Sequence, residues 1–351
     1  MQNQATLKIA AEWIAQHRDA RFAFHTLHFP ELPSKQAGVG LARKIGMDEA
    51  LRRLDDVGRA DGMIAGYDAD CRCAPNYLTA LERYFERTPA SPGGSIYFEH
   101  PLEGPLSPQV YAGVAAYELH LRYYVQALRY AGFPHAHHTL GSCMVVRADA
   151  YRKQGGMNKR KAGEDFHFLN KIIPLGGFAD LTRTTVYPSP RPSDRVPFGT
   201  GKAVRAFLEG KEASTYPLDA FLALKSLFDW PPLLDGPEGG FADGGDLRWP
   251  EAVREFLNRH RFAEAMSEIR RNTSSEAAFR KRFFQWFDGF LAMKFVHYAR
   301  DRFHGDGNLC EQAARLLAIM GRELPAGAEV SVRELLPIYR ELDRGTQQNA
   351  G

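Results

Sequence analysis

At 351 residues the chain exceeds what one hydrophobic core ordinarily serves, so a large domain and a smaller one are expected. Its 45 Lys plus Arg against 42 Asp plus Glu, spread along the chain, lack the one-sided charge of a nucleic-acid binder, which leaves room only for a local basic patch. The 4 cysteines, Cys71, Cys73, Cys143 and Cys310, match neither a zinc pattern nor a disulfide framework. With no transmembrane segment of ~20 apolar residues and no signal peptide at Met1 to Thr6, a cytoplasmic protein is expected.

Leu7, Ala10, Ala11 and Ile14 keep helical spacing, and Arg21 to Phe29 follows as an apolar strand ended by Pro30. Gly40 to Leu54 reads as a helix, Gly62 to Tyr67 as a strand, Pro75 to Arg87 as a helix and Ser95 to Glu99 as a strand; this alternation predicts a largely parallel sheet. A long aromatic-rich helix spans Gln109 to Tyr130, most of its tyrosines reading as packing residues. Next come a turn with His135, His137 and His138, a strand at Ser142 to Arg147 and a helix at Asp165 to Ile173. Pro188 to Pro197, with four prolines in ten residues, excludes regular structure, and the domain boundary is set just beyond it. Past Lys202 the pattern turns helical. Val253, Phe256 and Leu257 begin one stripe, Phe262, Ala265, Met266 and Ile269 continue it, and Cys310 to Met320 gives another helix. The segment from Phe283 to Tyr298, with Phe279, Phe283, Phe287, Phe290 and Leu291 at helical spacing, reads as a core helix. The Gly/Asp-rich stretch Asp235 to Asp246 lacks the ending of a phosphate loop and reads as a surface connector. The fold class expected is therefore α/β over residues 1–201, followed by an α-helical domain over 202–351.

Two acidic sites carry the chemistry. Asp68 and Asp70 stand at i and i+2 past the carboxyl end of an apolar strand, where an open α/β sheet binds ligands, and they can offer oxygens to one hard divalent cation holding a diphosphate. Glu164 and Asp165 follow Gly163 and open a helix, where a carboxylate can take a proton from an incoming hydroxyl. Together they suit group transfer from an activated phosphate ester. Plainer roles exist for each: Asp68 and Asp70 as turn or cap residues, Asp165 as a first-turn carboxylate favoured by the helix dipole. The histidines 135, 137 and 138 have the spacing of no ordinary ligand set and read as solvated or acceptor-contacting; His167 reads as a helix-surface residue, and the cysteines are given no role.

Gly38 to Gly46, Ala60 to Asp70, Gly141 to Arg147, Gly155-Gly156 and Gly163 to Asp165 resemble, in order and spacing, the successive signatures of family 2 glycosyltransferases with the GT-A (Rossmann-like) fold. The resemblance covers roughly residues 35–177. It implies a nucleoside-diphosphate sugar donor, with Mn²⁺ or Mg²⁺ bridging its diphosphate to Asp70 and Asp68. It also implies inverting transfer to an acceptor hydroxyl on a sugar, lipid-linked or small molecule, with Asp165 as general base and Glu164 as its acceptor-binding neighbour. Lys35 and Arg43 match positions beside the nucleotide or its phosphates. The chain departs from the family in two places. The first strand, turn and helix of such enzymes have no counterpart, so a truncated chain is expected. Beyond Asp165 the metal-binding His of many relatives is replaced by Thr185 to Arg195, whose Arg191 and Arg195 are candidates to clamp the diphosphate. Retaining transfer, nucleotidyl transfer on the same fold, and a non-catalytic scaffold or binding protein are the alternatives. The helical domain would cover the acceptor side or mediate homo-oligomer formation.

Overall fold

A computed structural model describes residues 2–17, 21–32, 37–193, 199–230, 249–324 and 330–345. Lys35, Arg195 and the connector at 235–246 lie outside these residues. After α1 (Gln2–Gln16) and α2 (Val39–Asp56) come strands β1 (Met63–Gly66) and β2 (Arg72–Cys73), helix α3 (Tyr77–Arg87), strand β3 (Gly93–Phe98) and the long helix α4 (Pro108–Tyr130). Strand β4 (Met144–Arg147), helices α5 (Ala148–Lys153) and α6 (Glu164–Ile172) and strand β5 (Ala179–Tyr187) complete the sheet-bearing part.

The sheet runs β1-β4-β3-β5-β2. It is mixed, which corrects the expectation of a largely parallel one: only β3 and β5 pair parallel, while β1–β4, β3–β4 and β5–β2 are antiparallel. The reason lies in the segment after α4. Residues 131–143 bring the chain back level with β3, where the Ser95 hydroxyl donates to the His138 carbonyl and the Ile96 N–H donates to the Cys143 carbonyl. Strand β4 therefore starts opposite Ser95 and runs back along the first half of β3, whereas a helix alone as the crossover would have delivered it parallel. Strand β5, rich in β-branched Thr and Val ahead of Pro188, is not among the strands expected from the sequence, yet it pairs with both β3 and β2. The apolar run Arg21 to Phe29 is no strand of either sheet. Only Phe22 makes an isolated bridge, and Phe22, Phe24, Leu27 and Phe29 are 41 to 52% exposed, because an apolar pattern becomes a strand only where a sheet edge receives it.

Strands β3 and β4 are buried along their whole length, and alternation sorts their side chains onto two faces. Met144 and Val146 join Ile64, Met47, Tyr151, Phe168 and Leu169 under α2, α5 and α6. Cys143 and Val145 join Ile96, Phe98, Leu181 and Val186 against Tyr77, Leu81 and Phe85 of α3.

Helices α7 (Thr200–Leu208), α8 (Leu218–Phe228), α9 (Glu251–Arg259), α10 (Phe262–Arg271), α11 (Glu276–Trp286), α12 (Gly289–Ala299), α13 (Leu309–Ile319) and α14 (Val332–Gly345) follow, with a two-stranded ladder of β6 (Ser214–Thr215) and β7 (Gly307–Asn308). The single helix expected across 283–298 is two, α11 and α12. The break falls at Phe287-Asp288, where the Asp288 carboxylate accepts the Leu291 N–H and caps the second. Helix α4 is buried on every side because it serves both parts: its Ala115, Leu119, Tyr123 and Leu128 share one apolar cluster with Phe221, Leu224, Phe283, Leu316 and Tyr339. Among the described residues no helix is long and apolar enough to cross a membrane.

Ion pairs fasten α14 to α4. Arg122, fully buried, donates from Nε to Glu118 at 2.9 Å, and also donates to Asp343 and to the Phe98 carbonyl. Glu118 further accepts from Arg340 of α14 at 2.7 Å and from the His100 N–H at 2.7 Å, while Asp343 accepts from Gln126 at 2.6 Å and sits 2.8 Å from His138 Nε2. Burial alone would raise both carboxyl pKa values. The His100 bond and the Arg122 charge at Glu118, and the His138 and Arg122 charges at Asp343, overcome burial and hold both well below the usual range.

Loss of one partner and loss of carboxylate charge both test this network. Asp343→Ala leaves Arg122 buried with a partner missing and is expected to cost about 3–5 kcal/mol in chemical denaturation. Because both folded pKa values are depressed, the stability these carboxylates confer is present above their unfolded pKa of about 4 and is lost as pH falls below it. Melting temperature should therefore drop steeply with acidification in the native chain and less so in Asp343→Asn; parallel pH profiles would refute the assignment.

Candidate functional site

Strand β1 ends at Gly66, and the chain turns so that the Cys71 N–H donates to the Asp68 carbonyl. Helix α2 packs beside this strand end and presents Arg43. Its Nη2 donates to Asp68 Oδ1 at 2.7 Å and its Nη1 to Glu164 Oε1 at 3.0 Å. One guanidinium thus joins the two acidic sites that the sequence holds far apart. The approach is close because the backbone carries no side chains there: a Cβ on Gly141 would lie 2.3 Å from Arg43 Nη1, and one on Gly66 2.4 Å from the Gly141 carbonyl.

The charges around Arg43 shape one another. Burial disfavours its cation, but Asp68 first and then Glu164 and Asp165 outweigh that and raise its pKa. Glu164 is buried, and burial followed by the neighbouring Asp165 charge pushes its pKa up against the pull of Arg43. Asp165 is likewise raised by burial, opposed by the Phe166 N–H, Arg43 and the Gly141 N–H. Those two N–H groups fix its carboxylate, Gly141 donating to Oδ2 at 2.9 Å and Phe166 to Oδ1 at 2.8 Å. Asp165 is a first-turn residue of α6, the plainer of its two expected roles, and also stands beside the Arg43 cluster.

Asp70 faces a different cation. Arg191 donates Nε to Asp70 Oδ2 at 2.8 Å, with Nη2 at 2.6 Å, and both side chains remain well exposed. Neither Asp68 nor Asp70 caps α3, whose first turn follows Asn76 without a side-chain cap. No three His, Cys, Asp or Glu side chains gather into a metal-binding group among the described residues. Asp68 and Asp70 each carry an arginine instead, Arg43 on the first and Arg191 on the second. His167 packs its ring 4.3 Å from that of Phe290.

The histidine turn is largely withdrawn from solvent into contacts with the fold, which corrects the expectation of solvated rings. His138 bonds Asp343, His137 Nδ1 lies 3.0 Å from Asp180 Oδ1, and His135 packs edge-on against Phe133 and Phe284. Burial pushes the His135 pKa down to about 4, so its ring is neutral near pH 7. His135 and His138 belong to the fastening of the helical part, and His137 ties the turn to β5. Spacing alone could not reveal this, since their carboxylate partners are remote in sequence.

One neighbour of the site has no motif to announce it. The Tyr117 phenol of α4 has its pKa raised by burial and then by the Asp165 charge, so it lies within electrostatic reach of that carboxylate. Its ring stacks at 6.3 Å on His120, whose Nδ1 lies 2.8 Å from the Thr215 hydroxyl and whose pKa burial pushes down to about 4. No protein-family model, curated protein or solved structure matches the chain.

Arg43→Met strands the Glu164 carboxylate and is expected to destabilise the fold by about 3 kcal/mol, with much of the loss recovered in Arg43→Met/Glu164→Gln. Denaturant titration of the four proteins in this cycle measures the coupling. Strictly additive losses would show that the two residues do not depend on each other.

Proposed function

We propose that the chain is a glycosyltransferase that moves a sugar from a nucleoside-diphosphate sugar to an acceptor hydroxyl, with inversion at the anomeric carbon. The observation that carries this reading is Arg43, which holds Asp68 at 2.7 Å and Glu164 at 3.0 Å and so makes one site of the strand-end acids and the helix-start acids. In this reading Asp165 accepts the proton of the acceptor hydroxyl. The freed oxygen pair forms the bond to the anomeric carbon, and the electrons of the old sugar–oxygen bond leave with the diphosphate. A pKa raised by burial suits Asp165 to proton acceptance, and its two backbone N–H donors keep it oriented.

The residues fit a hard divalent cation in number and kind. Asp68 and Asp70 are oxygen ligands at i and i+2 with side chains 44 and 39% exposed, and Mg²⁺ or Mn²⁺ commonly takes one or two carboxylates with phosphate and water filling the rest. When bound, such a cation neutralises charge on the departing diphosphate. Arg191 already stands at Asp70 and has the planar fork that recognises phosphate oxygens bidentately. A second reading, a non-catalytic binding protein, draws on the same contacts: Arg43 and Arg191 already neutralise both carboxylates.

Calorimetry with a panel of nucleoside diphosphates and Mn²⁺ tests the site. Arg191→Ala is expected to weaken binding by about tenfold or more, and Asp70→Ala to remove its metal dependence. Asp165→Asn should abolish transfer while leaving donor binding nearly intact. Proton NMR of the anomeric signal then separates inverting from retaining chemistry. If no nucleoside diphosphate binds in the presence of Mn²⁺, the binding-protein reading prevails.

A further inference from the structure

On the opposite side of the sheet from β1, helix α3 and strand β5 border an open pocket of about 510 Å³ lined by Asn76, Tyr84, Leu181 and three exposed arginines, Arg83, Arg87 and Arg183. No Asp or Glu lines it. Arg83 and Arg87 are one helical turn apart on α3, an arrangement that repels, and Arg183 of β5 adds a third charge to the same space. Among the described residues none of the three guanidinium groups makes an ion pair or hydrogen bond. The ordinary reason for an arginine in a last helical turn, where Arg87 stands, is to serve the terminal carbonyls, but that need is met otherwise. Buried Arg147 donates to the Phe85 carbonyl at 2.8 Å and to that of Thr88 at 3.5 Å, and the Thr88 hydroxyl donates to the Tyr84 carbonyl at 2.6 Å.

The neutral groups of the cavity are likewise spent on the fold. Thr79 donates to the Asn76 carbonyl, Thr184 donates to Asn76 Oδ1, and Asn76 Nδ2 donates to the Arg183 carbonyl. What remains for a ligand is three guanidinium forks beside the apolar surfaces of Ala80, Leu181 and the Tyr84 ring. The volume lies in the range of small-molecule sites, roughly 300–1,000 Å³.

We infer that this cavity binds a small molecule bearing a diphosphate group, held by Arg83, Arg87 and Arg183 without a metal ion. Charge-assisted, bidentate contacts to phosphate oxygens relieve the mutual repulsion of the three cations, and a diphosphate has oxygens enough to engage more than one fork. The inference stands apart from the transfer reading, since it uses none of Asp68, Asp70 or Asp165.

Isothermal titration with inorganic pyrophosphate in EDTA at low salt tests it. The native chain is expected to bind with sub-millimolar affinity that falls as salt rises. Arg83→Gln/Arg87→Gln and Arg183→Gln, all at exposed positions, should each weaken binding by about tenfold or more. Uridine diphosphate under the same conditions separates the sources. Tighter binding than pyrophosphate identifies a nucleotide, and equal binding identifies the diphosphate alone. Absence of metal-free binding by the native chain, or native affinity in both arginine variants with melting temperatures unchanged, overturns the inference. Binding lost in Arg191→Ala and kept in the cavity variants would also overturn it, by assigning the anion to the strand-end site.

Discussion

A guanidinium in the dry interior determines how this molecule holds together. Arg122 of α4 is fully buried and touches three elements at once: Glu118 one turn back, Asp343 of α14 and the carbonyl of Phe98 at the end of β3. Its face lies 4.6 Å from the Phe98 ring, adding a cation–π contact. A cation so placed is tolerable only with carboxylates beside it, and those carboxylates are tolerable only with His100, Arg340, Gln126 and His138 satisfying their remaining oxygens. The last helix is therefore bound to the sheet by a network in which each member is costly without the others. Apolar burial between α4 and the later helices supplies bulk attraction, and the charges fix which surface of α14 meets α4.

The site at the end of β1 is built on the same principle but opens to solvent. Arg43 is mostly buried between Glu164, also buried, and Asp68, which is half exposed. Asp70 and Arg191 form the outer, wetter pair. This gradient leaves the strand-end carboxylates and Arg191 open to solvent while the helix-start carboxylates are held in a drier place where their protonation is favoured. The arginine-lined cavity under α3 lies across the sheet from it. The two sites differ in kind, one of mixed charge and one of positive charge alone.

Much of the local structure is legible in the residues. The helical spacing from Gly40 to Leu54 appears as α2, the run ending at Tyr67 as β1, and Gln109 to Tyr130 as α4, each within a residue or two. The two acidic pairs stand out by their positions relative to a strand end and a helix start. Less visible are β5, whose Thr-rich stretch shows little apolar alternation, and the exposed run from Phe22 to Phe29, whose apolar pattern finds no sheet edge. The histidine turn misleads for a related cause. The spacing of His137 and His138 says nothing of Asp180 and Asp343, which decide their roles.

Periodicity, capping chemistry and turn residues act over a few positions, so the sequence by itself determined the course of helices such as α2 and α4 and of strand β1, and which carboxylates stand at their tips. Contacts between remote segments are set by how elements stack, and no local pattern encodes them. Only the tertiary structure decided that β4 enters antiparallel, that α4 joins the helical core while its Leu121 packs against the sheet's, that Arg43 spans Asp68 and Glu164, and that Arg83, Arg87 and Arg183 face one pocket. The physical reason is that a buried charge selects its partner by the cost of lacking one, and that selection is made across space rather than along the chain.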